Sequence, residues 1–304
     1  ALGGLDQRHA GLGLRRLLRL LVLEEGGGGR GTFLGDDVAQ RLLALFRQRL
    51  EGIGVGDDHR VAVVHREAVV VGQELVPVLG AAGAGGQRGH VLVKRDLADA
   101  DIDAFVDDLK AVADANNLDR FPIFAASQAV PVAIRFAQRY PQRVSGLVLY
   151  GGFAKGRAVR DVAQGDLDEE TVLGLIRAGW GKANSPFVNA FSTLFMPDAT
   201  PAQLTSFVKM QTETISPENA ARLRQIIDRF DVSEILGSIR TPTLVIHAIS
   251  DAMQPVEQGR ILASEIEGAR YVSLESRNHI PLPQEETWTT MTHEIQVFLD
   301  SLHP

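Results

Sequence analysis

The sequence predicts an α/β fold with a mostly parallel sheet flanked by helices. Residues 121–124 form a short apolar run, residues 128–140 have the apolar spacing of an amphipathic helix, and residues 144–150 form a second apolar run. Two buried strands joined by one helix form a βαβ unit, which implies parallel strands and a right-handed crossover. Two later apolar runs, at residues 243–247 and 271–274, extend the same sheet.

A long stretch without strand-like runs separates the two pairs of predicted strands. Between residues 153 and 239 the sequence predicts four helices, and a helical insertion inside an α/β sheet is typical of a cap or lid above a pocket. Other helices are predicted before the first strand pair and near the end of the chain. The predicted helices cover residues 105–112, 169–180, 185–195, 201–212, 217–230, 256–266 and 286–302.

The first 93 residues differ in composition from the rest of the chain, because they hold 19 of the 30 glycines and none of the five lysines. Residues 38–50 have helical apolar spacing, and residues 61–64 and 68–71 are β-prone. Three interpretations stay open for this segment. It is a flexible or separate N-terminal segment, a divergent first third of the same fold, or a stretch of different origin.

Bulk composition excludes several classes of protein. A net charge of −7 argues against a nucleic-acid-binding surface and suits a soluble cytoplasmic protein. The chain has no cysteine, which excludes disulfides, thiolate metal sites and a cysteine nucleophile. No segment reaches the roughly 18–20 apolar residues that a membrane-spanning helix needs. We expect neither a metal nor a cofactor.

The turn between residues 124 and 128 carries a single hydroxyl, at Ser127. A strand, a tight turn with a serine and then a helix is the plan of a nucleophile elbow, which exposes a hydroxyl above the end of a sheet. An elbow usually has glycine two residues to either side of the serine, whereas this chain has Ala125 and Ala129. From this stretch alone, an ordinary strand–helix junction that contains a serine is an equally good interpretation.

Two further polar residues follow the ends of predicted strands. Asp251 comes after the strand at 243–247, and His279 comes after the strand at 271–274. Functional groups of open α/β sheets gather at the carboxyl ends of strands, and Ser, Asp, His is the chain order of the α/β-hydrolase triad. Singly, each has a structural explanation, as a turn aspartate or as one of eight histidines. His247 is interpreted as a packed core histidine.

Residues 96–304 resemble the α/β-hydrolase superfamily, in particular its bacterial serine esterase-like branch. The resemblance lies in residues 118–128, 137–152 and 241–248, in Asp251, and in residues 274–279. It implies an α/β-hydrolase core at residues 96–153 and 240–304. It also implies a helical cap at residues 154–239, inserted after the sixth-strand region of that fold. Residues 1–95 then supply the first strands of the core or are partly disordered.

The resemblance also implies a role for each candidate residue. Ser127 is the nucleophile, His279 the general base and then acid, and Asp251 the residue that orients the imidazole. The backbone N–H of Gln128 is one donor of the oxyanion hole. The second donor should come from a loop after an earlier strand, for which Gly80 is the best candidate, although no His-Gly loop is recognisable in residues 1–95.

The sequence therefore predicts a serine hydrolase that cleaves carboxylic esters with short to medium acyl chains through an acyl-serine intermediate. Its expected partner is a small-molecule ester, with neither nucleic acid nor membrane as a partner, and a homodimer is possible. The alternative is a ligand-sensing or interaction module that keeps the hydrolase fold but has little or no turnover. The alanines of the elbow and the unusual first third of the chain motivate that alternative.

Overall fold

The chain folds around a parallel sheet. A computed structural model describes residues 69–71, 97, 100–115, 118–160, 168–182 and 185–302. The predicted helix at residues 38–50, the predicted strand at 61–64 and Gly80 lie outside these described residues.

The described strands form one five-stranded sheet in which all neighbours are parallel and the spatial order follows the chain. Parallel strands need crossover connections, and helices supply them here. The strands are β1 (Val69–Val71), β2 (Phe121–Ala126), β3 (Val144–Tyr150), β4 (Thr243–Ala248) and β5 (Arg270–Leu274).

Helices of the described chain precede, connect and follow these strands. Four of them lie between β3 and β4, where the sequence predicted a helical insertion. The helices are α1 (Ile102–Ala115), α2 (Ala129–Arg139), α3 (Glu169–Gly179), α4 (Pro186–Phe195), α5 (Pro201–Thr214), α6 (Pro217–Ile227), α7 (Val256–Glu265) and α8 (Glu286–Ser301).

Helices cover both faces of the sheet. Because successive side chains of a strand point to opposite faces, one strand contributes to the apolar cluster on each side. In β3, Leu147 and Leu149 join the apolar cluster that contains residues of α1, α2 and α7. Val148 and Tyr150 join the cluster formed with α8. All seven residues of β3 are buried, which explains why its sequence is a nearly continuous apolar run instead of an alternating one.

The four helices between β3 and β4 begin at capping side chains. An oxygen of each capping residue accepts a hydrogen bond from a backbone N–H in the first turn, and Thr200 forms a complete capping box with Gln203. Three of the four have proline at the first helical position, where no N–H is needed. The capping residues are Asp168, Ser185, Thr200 and Ser216.

The prediction of a mostly parallel sheet flanked by helices is confirmed. Strands 144–150 and 243–247 were predicted within one residue of β3 and β4, and β5 begins one residue before the predicted 271. The helix predicted at 217–230 ends earlier, at Ile227, and α1 extends beyond the predicted 105–112 at both ends. Helix ends are set by capping and local contacts, which apolar periodicity does not report.

Candidate active site

Ser127 lies in a strained turn between β2 and α2. Its φ of 55° is in the left-handed region, and it is the only non-glycine residue of the described chain with a positive φ. The Ser127 N–H donates to the Tyr150 carbonyl at 2.8 Å, and the Ser127 carbonyl accepts from the Val130 N–H at 3.1 Å. The first hydrogen bond joins the turn to the end of β3 and the second joins it to the first turn of α2. The surrounding sheet and helix therefore impose the strained backbone.

Small residues surround this turn. Ala125 and Ala129 are both fully buried, so larger side chains would have to displace packed neighbours. Gln128 follows the serine directly as the N-cap residue of α2. The first N–H groups of a helix lack acceptors within the helix, and the positive end of the helix dipole lies there. The start of α2 is therefore suited to stabilise a negative charge next to Ser127.

Asp251 lies in the loop that follows β4, and its carboxylate is held from two sides. Its Oδ1 accepts hydrogen bonds from the backbone N–H groups of Met253 at 2.7 Å and Gln254 at 3.0 Å. Burial alone would raise the pKa of this carboxyl group. The neighbouring His279 and the two backbone donors outweigh burial and lower the pKa of Asp251 below its ordinary value. Asp251 is consequently an ionised hydrogen-bond acceptor at neutral pH.

His279 connects Asp251 to Ser127. Its Nδ1 lies 2.6 Å from Asp251 Oδ2, and its Nε2 lies 2.8 Å from Ser127 Oγ. Because the carboxylate can only accept, Nδ1 carries the proton, and Nε2 is free to accept from the serine hydroxyl. Ser127 and His279 are separated by 152 positions in sequence and are both buried. The fold thus brings together the three residues that the sequence analysis selected.

Gly151 is a site residue that the sequence analysis missed. It follows β3 with a φ of 54°, and a Cβ built on it would lie 3.3 Å from His279 Cε1 and 3.4 Å from Nδ1. Glycine therefore provides both the left-handed backbone and the space for the imidazole. The pair Gly151–Gly152 after a strand was a signal for a special backbone, but only the tertiary structure shows which side chain occupies the space.

His247 is fully buried in β4, as expected for a packed histidine, yet it also contacts the site. Its Nε2 lies 3.0 Å from the Gln254 carbonyl, which can only accept, so Nε2 carries the proton and donates. Burial is the main cause that lowers the pKa of His247. A neutral imidazole therefore holds the same Gln254 residue whose N–H donates to Asp251.

Helix α4 ends against the imidazole of His279. The ring of Phe195 contacts the His279 ring edge to face, with 5.6 Å between the ring centres. Phe195 belongs to a buried apolar cluster with Met196, Phe207 and Leu282. Phe195 therefore connects the imidazole of His279 to an apolar cluster that includes residues of α4 and α5.

The described residues can also be compared with the requirements of a metal site and of a membrane-spanning helix. Within the described ranges, no group of three or more histidine and carboxylate side chains is arranged to hold a metal ion. None of the helices in that part of the chain is both long enough and apolar enough to cross a bilayer.

Comparison with known proteins identifies the class of fold. No protein-family profile matches the chain. The chain is 29% identical to a pyrrolizixenacetamide deacetylase from Xenorhabdus hominickii over 178 residues, which are 58% of this chain and 65% of that protein. It is 26% identical to a pimeloyl-[acyl-carrier protein] methyl ester esterase from Neisseria meningitidis over 152 residues, 49% of this chain and 59% of that protein. The chain thus spans less than two-thirds of the length of these curated relatives.

Solved structures share the fold at low sequence identity. A thermophilic esterase from Thermogutta terrifontis has a TM-score of 0.59 and 19% identity, covering 78% of this chain and 90% of that one. An enol-lactonase from Burkholderia xenovorans has a TM-score of 0.56 and 20% identity, covering 77% and 90%. The described chain has the α/β-hydrolase fold. Over the segments matched by the curated relatives, the sequence resembles the α/β-hydrolase superfamily.

Proposed function

We propose that this protein is a serine hydrolase that cleaves carboxylic esters with short to medium acyl chains through an acyl-serine intermediate. One observation carries the proposal, which is the hydrogen-bonded chain from Ser127 Oγ through both nitrogens of His279 to Asp251. A serine hydroxyl is a weak nucleophile until an adjacent base accepts its proton. The direction of both hydrogen bonds suits that proton transfer.

In the proposed mechanism, Ser127 Oγ attacks the ester carbonyl carbon while its proton passes to His279 Nε2. Asp251 stabilises the imidazolium that forms, since its carboxylate accepts the Nδ1–H at 2.6 Å. His279 then donates the proton to the departing alcohol. A water molecule, activated by the same nitrogen, hydrolyses the acyl-serine and restores the enzyme.

The oxyanion formed in each step requires backbone donors. The Ser127 N–H already donates to the Tyr150 carbonyl. We therefore assign one donor to the N–H of Gln128 at the start of α2. The second donor is expected from the loop around Gly80, which lies outside the described residues. Loss of one such donor typically lowers turnover about 10²–10³-fold.

The arrangement of the chain suggests how the substrate is enclosed. We propose that residues 96–153 and 240–304 form the hydrolase core, that residues 154–239 form a cap, and that residues 1–95 contribute the first strands of the core. Strand β1 supports the last assignment, because Val69, Val70 and Val71 pair with residues of β2.

The proposal is tested by hydrolysis of chromogenic esters. Wild-type protein is assayed with p-nitrophenyl esters of increasing acyl length, and with an acetamide because one relative is described as a deacetylase. We expect ester hydrolysis that Ser127→Ala abolishes and His279→Ala strongly reduces. Full activity in the Ser127→Ala variant would rule out an acyl-serine at this position.

The alternative of a sensing or interaction module makes a different prediction. A module without an activated serine should not react with a fluorophosphonate probe, whereas the proposed enzyme should be labelled at Ser127. Absence of labelling in folded protein would favour the module. A cytoplasmic location and a homodimer stay predictions from the sequence.

A further inference from the structure

We infer that Asn278 is a positioning residue that couples the cap helices to the base of the triad. This inference rests on the proposed serine hydrolase. It concerns the two residues that flank His279 and a short segment at the end of α4, residues 195–198.

The side chain of Asn278 bridges the loop of His279 and the cap segment. Asn278 is fully buried. Its Oδ1 accepts from the Asp198 N–H at 3.0 Å, and its Nδ2 donates to Asp198 Oδ2 at 3.2 Å. A backbone N–H can only donate, which assigns the oxygen of the amide to that side. One amide therefore uses both of its ends on a single residue of the cap.

The other side of His279 is held by the same segment. The Ile280 N–H donates to the Phe195 carbonyl at 3.0 Å, and the Phe195 ring contacts the imidazole itself. Residue 278 is thus hydrogen-bonded to residue 198, and residue 280 to residue 195. The peptide units on both sides of His279 therefore depend on where the end of α4 lies.

The core holds Asn278 from the opposite direction. The Asn278 N–H donates to Ser276 Oγ at 3.0 Å, and the Ser276 hydroxyl donates to Glu285 Oε1 at 2.7 Å. Burial raises the pKa of Tyr150, so that its hydroxyl stays protonated, and this hydroxyl lies 3.5 Å from the Asn278 carbonyl. The hydrolase core thus holds the backbone of Asn278, and the cap segment holds its side chain. A shift of the cap segment would therefore also shift Asn278 and, with it, His279.

A neighbouring ion pair is a weaker candidate for this role. Arg277 forms a bidentate pair with Asp198, and the Arg277 hydrogen bond is the main cause that lowers the pKa of Asp198. Both side chains are largely exposed, at 59% and 42%. Exposed pairs contribute little, whereas a buried amide left without partners is costly. The coupling therefore depends mainly on Asn278.

The coupling is tested by removing the amide. In Asn278→Ala we expect the rate of fluorophosphonate labelling at Ser127 and kcat for a p-nitrophenyl ester to fall on the order of 10- to 100-fold, because small displacements of a reacting group have effects of this size. KM should change much less. Asp198→Ala keeps the backbone donor and removes only the second partner, so a smaller loss is expected there. Since Asp198 lies at the surface, this variant tests the inference even if Asn278→Ala does not fold.

A matched control is available in the same region. The amides of Gln203 in α5 and Gln284 also join the cap to the loop after His279, through hydrogen bonds of 3.1 and 2.9 Å. Among the described residues, these two hydrogen bonds do not involve His279, Asn278 or Ile280. Because the Gln203 side chain also completes the capping box of α5, the control is made at the other partner. Gln284→Ala should leave labelling and kcat within about twofold of wild type if positioning, and not general cap attachment, is the cause.

A reciprocal exchange separates positioning from general stability. Asn278→Asp places a carboxylate against the Asp198 carboxylate and should slow labelling. Adding Asp198→Asn supplies an amide that donates to the carboxylate introduced at 278, and labelling should recover at least severalfold. Wild-type labelling rates in Asn278→Ala and Asp198→Ala, or no recovery in the double variant, would overturn the inference.

One further measurement does not depend on turnover. The short hydrogen bond between His279 Nδ1 and Asp251 should give a far-downfield proton resonance, which should weaken or shift in Asn278→Ala but not in Gln284→Ala. If wild-type protein neither labels nor hydrolyses esters, the proposed function fails. The resonance then still decides whether Asn278 positions the imidazole.

Discussion

At the scale of single residues, the site depends on backbone positions as much as on the three polar side chains. Ser127 and Gly151 both have a backbone φ in the left-handed region, and each directly follows one of two adjacent strands. The first aims a hydroxyl above the sheet, and the second leaves space for the imidazole that contacts it. A serine in this conformation is strained, which is expected where function requires a particular direction of the side chain.

Replacement of Gly151 tests this arrangement. Gly151→Ala should cost about 1–2 kcal/mol because alanine disfavours the left-handed region. Its Cβ should also displace His279, which lies 3.3 Å away. We expect kcat to fall much more than KM changes, measured with a chromogenic ester, together with a lower midpoint of urea denaturation.

The control for this variant is another glycine with free space around it. A Cβ at Gly174, inside α3, would meet no atom within 4 Å. Gly174→Ala should therefore raise the free energy of unfolding by about 0.5–1 kcal/mol and leave kcat unchanged. Equal effects of the two substitutions on kcat would contradict the role given to Gly151.

At the scale of elements, each side chain of the proposed triad follows a strand of one parallel sheet. Ser127 follows β2, Asp251 follows β4 and His279 follows β5. The sheet keeps these loops at one edge, and helices packed on both faces keep the sheet in place. Helix α8 covers the face of β4 and β5 that carries Leu244, Ile246 and Leu274.

Two aliphatic residues of α8 differ in burial and therefore test how this helix packs on the sheet. Ile295 is fully buried, whereas Val297 is 40% exposed on the same helix. Ile295→Ala should lower the free energy of unfolding by about 2–5 kcal/mol, because it removes buried methyl groups and leaves a cavity. Val297→Ala should change it by less than about 0.5 kcal/mol. Both values are measured by urea denaturation, and similar losses at the two positions would contradict the packing described for α8.

At the scale of the whole molecule, stability depends on pH through buried groups near the site. His247 faces the Gln254 carbonyl, Asp251, His279 and Glu257, and burial is the largest cause of its lowered pKa. The folded state therefore resists protonation of His247, while the unfolded chain takes up a proton near the ordinary pKa of 6.5. Between these two pKa values the unfolded state binds more protons, so the free energy of unfolding falls as the pH falls.

His247→Gln should remove this contribution. The variant is expected to be less stable at neutral pH, since it weakens the support of Gln254. Its free energy of unfolding should decline less steeply than that of wild type as the pH falls below 6.5. Urea denaturation at several pH values measures how the free energy of unfolding of each protein depends on pH. Equal pH dependence in the variant and the wild type would show that folding does not lower the pKa of His247.

The sequence alone determined the class of fold and the candidate triad. Apolar runs, proline and capping residues act over a few positions, so they predicted strands, helix starts and the helical insertion between β3 and β4. The position of Ser127, Asp251 and His279, each after the end of a predicted strand, predicted that these residues meet, because parallel strands end at one edge of a sheet. The resemblance to a known superfamily assigned their roles.

Only the tertiary structure decided which neighbours complete the site. Gly151 and Asn278 act through contacts with residues far away in the chain, and His247 contacts the Gln254 carbonyl seven positions on. The apolar and capping patterns of the sequence report none of these contacts. His247 shows the limit most clearly, because its place in a predicted strand identified it as a core residue but not as the partner of Gln254. The close packing of side chains from separate loops fixes the imidazole of His279, and that packing exists only once the strands and the helices between β3 and β4 are assembled.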